Sequence, residues 1–196
     1  MVRGGGAAEP ASESALAAPA GTGYSGASVS LRDDITGLLV THPVDAGDAA
    51  PDFKAPTTSG RDASLAEFAG RPLVIFFYPK DDTETCTKEA LSFNEKQSKF
   101  GRRKIGLLGV SPDAVKTHLK FIAKYELKLR LASDEDRSMC TTYGVWQEKV
   151  LYGRKYMGVV RSTFLIDGDG MIRQAWRGVR VAGHTDEVLD AATRAS

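Results

Sequence analysis

Two cysteines in 196 residues, Cys86 and Cys140, are too few and too far apart for the disulfide framework of a small secreted domain. The three histidines, His42, His118 and His184, lack the spacing of a metal site. No apolar stretch approaches the roughly 20 residues that cross a membrane as a helix. Basic and acidic residues almost cancel, 26 against 25, and the densest basic cluster is the "FGRRK" of 100–104. That pattern falls short of a nucleic-acid footprint, and no phosphate-binding glycine loop follows a strand. What remains is a domain of a reducing compartment, with the cytoplasm as the expected location. At this length the chain can build a core without covalent staples.

The first 43 residues differ in texture from the rest. Residues 1–30 are nearly all Gly, Ala, Ser and Pro, a composition that buries too little apolar surface to offset the entropy of ordering it. We read 1–43 as a low-complexity, largely disordered extension and 44–196 as the folded domain. Arg3 is the only cation before Leu31, and Glu9 and Glu13 are acidic, which argues against a secretory signal. Organellar targeting by this extension stays open. In 31–44, Leu31, Ile35, Leu38 and Leu39 keep helical spacing but Gly37 opposes a helix, so the segment is read as one that docks on the domain.

Beyond Val44 strands and helices alternate. "LVIFFY" (73–78) and "IGLLGV" (105–110) are continuous apolar runs, as in strands buried on both faces. "STFLID" (162–167) and "MIRQAWR" (171–177) flank the turn "DGDG" and form a hairpin. After Cys86, Ala90, Phe93 and Phe100 share one helical face, with Lys88, Glu89, Glu95 and Lys96 left for solvent. A second helix is expected over 111–127, with Ser111 as N-cap, Pro112 at its first position and an inner stripe of Val115, Leu119 and Ile122. Shorter helices are expected in 133–145 and 183–195, the latter opened at Thr185. The order implies an α/β fold with a mixed sheet flanked by helices.

The stretch "YPKDDTETCT" is the chemically informative one. Pro79 ends the buried strand, a polar loop follows, and helical periodicity begins near Cys86. A thiol in the first helical turn meets unpaired N–H groups and the positive end of the helix dipole, both of which favour the nucleophilic thiolate. An inert buried thiol is the competing reading, although Glu84, Thr85, Thr87 and Lys88 make an unusually polar setting for one.

These residues resemble the active-site loop of the peroxiredoxins, P-x-x-x-T/S-x-x-C, with Pro79, Thr83 and Cys86 at the matching positions. "APDF", "LGVSPD", "YGVW", "YGRKYMGVVRSTFLID" and "GHTDEVL" resemble the bacterioferritin-comigratory, or Q-type, branch in the same order, from about Val44 to Ala192. The resemblance implies a thioredoxin-like fold and a thiol peroxidase needing no metal or organic cofactor. It acts on hydrogen peroxide and small alkyl hydroperoxides through a Cys86 sulfenic acid. Thr83 then orients thiolate and peroxide, Pro79 shields the sulfenate, and Arg161 polarises the peroxide. It also implies a monomer that is recycled by thioredoxin, glutaredoxin or glutathione.

Two departures stand out. "TETC" puts Glu84 and Thr85 where relatives carry smaller residues, and a carboxylate pressing on the sulfur would disfavour the thiolate. The positions of the usual resolving cysteines hold Leu91 and Ile122. Cys140, in "DRSMCTTYG", is then either a structural thiol or a possible resolving residue. The expectation is a one-cysteine cycle completed by an external thiol. A disulfide reductase is disfavoured because Cys86 has no C-x-x-C partner. A peroxide-responsive sensor or interaction module without sustained turnover is the alternative.

Overall fold

The structure, a computed structural model, describes residues 43–195. The reading of 1–43 as an extension, the docking segment apart from Pro43 and Val44, and His42 lie outside the described residues. In chain order come β1 (Lys54–Ala55), β2 (Ala63–Ser64), a 3-10 turn (Leu65–Phe68), β3 (Leu73–Phe77) and α1 (Glu84–Arg102). Next are β4 (Gly106–Ser111), α2 (Val115–Tyr125), β5 (Arg130–Ser133) and α3 (Ser138–Thr142). The chain ends with β6 (Trp146–Leu151), β7 (Arg154–Val159), β8 (Ser162–Ile166), β9 (Ile172–Arg177) and α4 (His184–Arg194).

A five-stranded sheet in the order β5-β4-β3-β8-β9 is the frame. β3, β4 and β5 are parallel, whereas β8 runs antiparallel to both β3 and β9, so the sheet is mixed as expected. Side chains alternate across it with period two. Leu73, Ile75 and Phe77 of β3 join one core with Phe164, Tyr143 and Cys140. Val74, Phe76 and Tyr78 join the other, with Cys86, Phe93 and Phe100 of the α1 side and Phe121 of α2. The sheet thus separates two cores, and the two cysteines lie on opposite faces of it.

Several elements differ from the sequence reading, each for a local reason. Ser111 ends β4 instead of capping α2. Its hydroxyl bonds the Asp113 carboxylate at 2.7 Å and receives the Asp113 N–H, a turn that delays the helix to Val115. The buried face of α2 is His118 and Phe121, with Ile122 half-buried, while Leu119 is 48% exposed. The expected stripe of Val115, Leu119 and Ile122 is out of phase with this face because a histidine takes a core position. Helix α3 is shorter than 133–145, because Ser133 pairs in β5 and the Asp134 carboxylate collects the N–H groups of Met139 (3.0 Å) and Cys140 (2.8 Å). The hairpin β6–β7 has no counterpart among the sequence expectations, its strands being too polar for an alternating pattern. Among the described residues no helix is long and apolar enough to cross a membrane.

Gly109 shows how tightly the sheet is covered. A Cβ there would lie 2.6 Å from Phe76 and 2.7 Å from Leu131, side chains of the two flanking strands. Gly109→Ala is expected to lower stability by about 1–3 kcal/mol through overpacking. A urea-unfolding midpoint equal to that of the unsubstituted chain would contradict this.

Candidate active site

Strand β3 delivers the chain to the site and Pro79 stops it. Asp82 then takes a left-handed turn (φ 58°) and Thr83 an extended one, and α1 begins at Glu84. The first helical bond runs from the Thr87 N–H to the Thr83 carbonyl at 2.9 Å. The N–H groups of Glu84, Thr85 and Cys86 therefore lack helical acceptors, the arrangement that favours an anion at this end. Cys86 is the third residue of the helix. It is only 3% exposed and packs with the α1-side core, so the sulfur is more enclosed than a thiol standing at an open pocket mouth.

The sulfur is nevertheless not apolar in its contacts. Arg161, immediately before β8, donates from Nη2 to Cys86 Sγ at 3.0 Å. Its Nη1 donates to Glu89 Oε2, forming a buried ion pair. The register explains this convergence: Ser162 pairs with Phe77 across the β3–β8 ladder, so Arg161 reaches the sheet end where β3 hands over to the loop. Cys86 and Glu89 are three residues apart on α1 and share a face. One planar guanidinium fork serves both.

Glu89 corrects the sequence reading. Placed with the solvent-facing residues there, it is 1% exposed. Burial raises its pKa to about 7 against the opposing pull of Arg161. Its Oε1, like the buried Thr87 hydroxyl, has no hydrogen-bond partner. The only available clue was its spacing from Cys86, and charge alone argued for solvent. Glu84, by contrast, is exposed and held by Lys88 at 2.6 Å, which lowers its pKa. Its charge is drawn into that surface pair rather than toward the sulfur.

Of the residues read from the sequence, the structure joins only Arg161 to the sulfur by a hydrogen bond; the others lie on the flanking loop or farther off. Thr83 is the N-cap residue, but its hydroxyl donates to the Lys80 carbonyl at 3.2 Å instead of capping the helix, and Pro79 is exposed on the same loop. Lys149 of β6 donates to the Val159 carbonyl at 2.6 Å. Burial and Arg161 lower its pKa while Cys86 raises it, which marks it as a second cation of this region that the sequence did not disclose. Leu91 and Ile122, at the usual resolving positions, are half-buried and packed against the core that holds Cys86. Cys140 is a free thiol in the opposite core, its pKa pushed well up by burial and by the nearby Asp134 carboxylate.

A thiol held by an arginine at a helix start, on a mixed sheet with helices, defines a thioredoxin-like thiol site. The AhpC/TSA family profile matches residues 46–175. A putative peroxiredoxin bcp of Coxiella burnetii is 43% identical over 146 residues, 74% of this chain and 97% of its own length. Peroxiredoxin Bcp of Xanthomonas campestris is 44% identical over 140 residues, 71% of this chain and 88% of its own. Among solved structures, the bacterioferritin comigratory protein of Xanthomonas campestris, described for its alkyl peroxide reduction activity, gives a TM-score of 0.69 at 42% identity. That match covers 72% of this chain and 90% of the other. Peroxiredoxin Q of Xylella fastidiosa gives 0.72 at 35% identity, covering 76% and 95%. The chain belongs to the AhpC/TSA family, as a thiol peroxidase of the Bcp, or peroxiredoxin Q, branch.

The Glu89 environment has a pH consequence. Its carboxyl keeps a proton in the folded chain up to about pH 7, whereas an unfolded glutamate releases it near about 4.3. Between those values the folded state binds more protons, so stability falls as pH rises through the window. Glu89→Gln is expected to flatten that slope in urea-unfolding midpoints taken across it. Identical slopes in variant and parent would show that Glu89 is not a buried acid.

Proposed function

We propose that Cys86 is the peroxidatic thiol and that the chain reduces hydrogen peroxide and small alkyl hydroperoxides. The observation that supports this most directly is the Arg161 donor 3.0 Å from the sulfur. A thiolate in this position attacks the terminal oxygen of the hydroperoxide. An S–O bond forms and the O–O bond breaks. Sulfur is oxidised by two electrons to the sulfenic acid, and the departing hydroxide or alkoxide leaves as water or alcohol after taking a proton. Charge spreads along S–O–O as this happens. A guanidinium fixed on that line stabilises the transition state more than the ground state. Thr83 orients thiolate and peroxide from the N-cap position, and Pro79 covers the sulfenate.

Recycling comes from outside the chain. Cys86 and Cys140 occupy cores on opposite faces of the sheet, and a disulfide needs Cα atoms within about 7 Å without backbone movement. An external thiol (thioredoxin, glutaredoxin or glutathione) therefore attacks the sulfenic acid. A second thiol equivalent then releases Cys86, and the protein acts as a cytoplasmic monomer. The sensor reading has no observation in its favour.

Under steady turnover with a reductant, Cys86→Ser is expected to abolish peroxide consumption, and Cys140→Ser to retain it. Loss of turnover in folded Cys140→Ser, together with loss of a peroxide-induced disulfide by intact-mass analysis, would overturn the one-cysteine cycle.

A further inference from the structure

The loop that carries Pro79 and Thr83 is tied to α2 by buried groups that the peroxide chemistry does not use. Asp81, 3% exposed, accepts the Tyr78 hydroxyl on Oδ1 and faces His118 Nδ1 with Oδ2, both at 2.7 Å. Its N–H donates to Asp113 Oδ2 at 2.8 Å. His118, wholly buried, has its other nitrogen 3.2 Å from the Ala132 carbonyl of β5. Both ring nitrogens thus face acceptors, one a carboxylate and one a carbonyl.

The next residue is held as well. Asp82 has φ 58°, a backbone region that few non-glycine residues occupy. Its carboxylate is gripped by Lys124 Nζ at 2.8 and 2.7 Å and by the Tyr125 hydroxyl at 2.6 Å. Such a conformation persists when its surroundings over-determine it. Two consecutive aspartates are therefore clamped on one helix, and Thr83 follows them directly.

We propose that His118 is a positioning residue for the peroxide reaction: clamped between Ala132 and Asp81, it fixes the 79–83 loop so that Thr83 and Pro79 stay in register with Cys86. This rests on the roles proposed above for Thr83 and Pro79. It predicts a separation between two reactions of the same sulfur. Iodoacetamide needs only a reachable thiolate, whereas a hydroperoxide also needs the loop groups aligned, and small misplacements of such groups are expensive in rate.

The test measures second-order rate constants of Cys86 with hydrogen peroxide and with iodoacetamide in the full chain. The variants are His118→Leu, which removes both ring-nitrogen contacts, and His118→Asn, whose amide can still donate toward Asp81. For His118→Leu the peroxide constant is expected to fall about tenfold or more with the iodoacetamide constant unchanged, and His118→Asn to recover most of the loss. An unchanged peroxide constant, or losses of equal size in both reactions, would overturn the proposal. Should His118→Leu fail to fold because the Asp81 carboxylate is left buried and unpaired, the double variant His118→Leu/Asp81→Asn carries the same comparison with the same expected loss. Thr83→Val separates the two readings. If it keeps the parental peroxide rate, the role given to Thr83 fails; if it loses rate while the His118 variants do not, the anchor alone fails.

Discussion

One guanidinium shared between a sulfur and a buried carboxylate is the constraint from which the rest of the site follows. Arg161 reaches both because β8 lies beside β3 with Ser162 opposite Phe77, and because Cys86 and Glu89 sit three residues apart on α1. A helix phased differently, or a sheet in which β8 paired elsewhere, would break one of the two contacts. The buried glutamate in turn explains why a cation is tolerated there, since an unpaired buried charge is strongly unfavourable. Glu89 titrates near neutrality, so the charge on Arg161 is balanced by the carboxylate to an extent that varies with pH.

The loop between β3 and α1 has the opposite problem, because it must be irregular and still hold a fixed shape. Regular hydrogen bonding stops at Pro79, and the first helical bond is not made until Thr87. The intervening residues are held by side chains instead, through Asp81 to His118 and Asp82 to Lys124 and Tyr125. Helix α2 is therefore more than cover for the sheet. It is the surface on which the reactive loop is set.

Much of this was legible in the residues themselves. The apolar runs of β3 and β4 announced strands buried on both faces, and Pro79 followed by helical periodicity placed Cys86 in a first turn. Arg161 stood out only through the family resemblance, since its approach to the sulfur depends on a strand pairing between residues far apart in the chain. Glu89, assigned to solvent, and His118, absent from the inner stripe read for α2, escaped for a common reason. Both are polar groups whose partners, Arg161 and Asp81, lie 72 and 37 residues away, beyond the reach of a local pattern. The hairpin β6–β7 escaped because neither of its faces carries a continuous apolar pattern.

The sheet also partitions the thiols. Cys140 belongs to the core of Phe77, Tyr143 and Phe164, where burial and Asp134 keep it protonated, while Cys86 lies across the sheet with a donor on its sulfur. Their chemistry is set by surroundings rather than by any difference in residue type. The most direct test of this account is the stopped-flow rate constant of Cys86 with hydrogen peroxide in Arg161→Met. The account predicts a fall of about 100-fold or more in a variant that remains folded. A folded Arg161→Met that reacts as fast as the parent would contradict it.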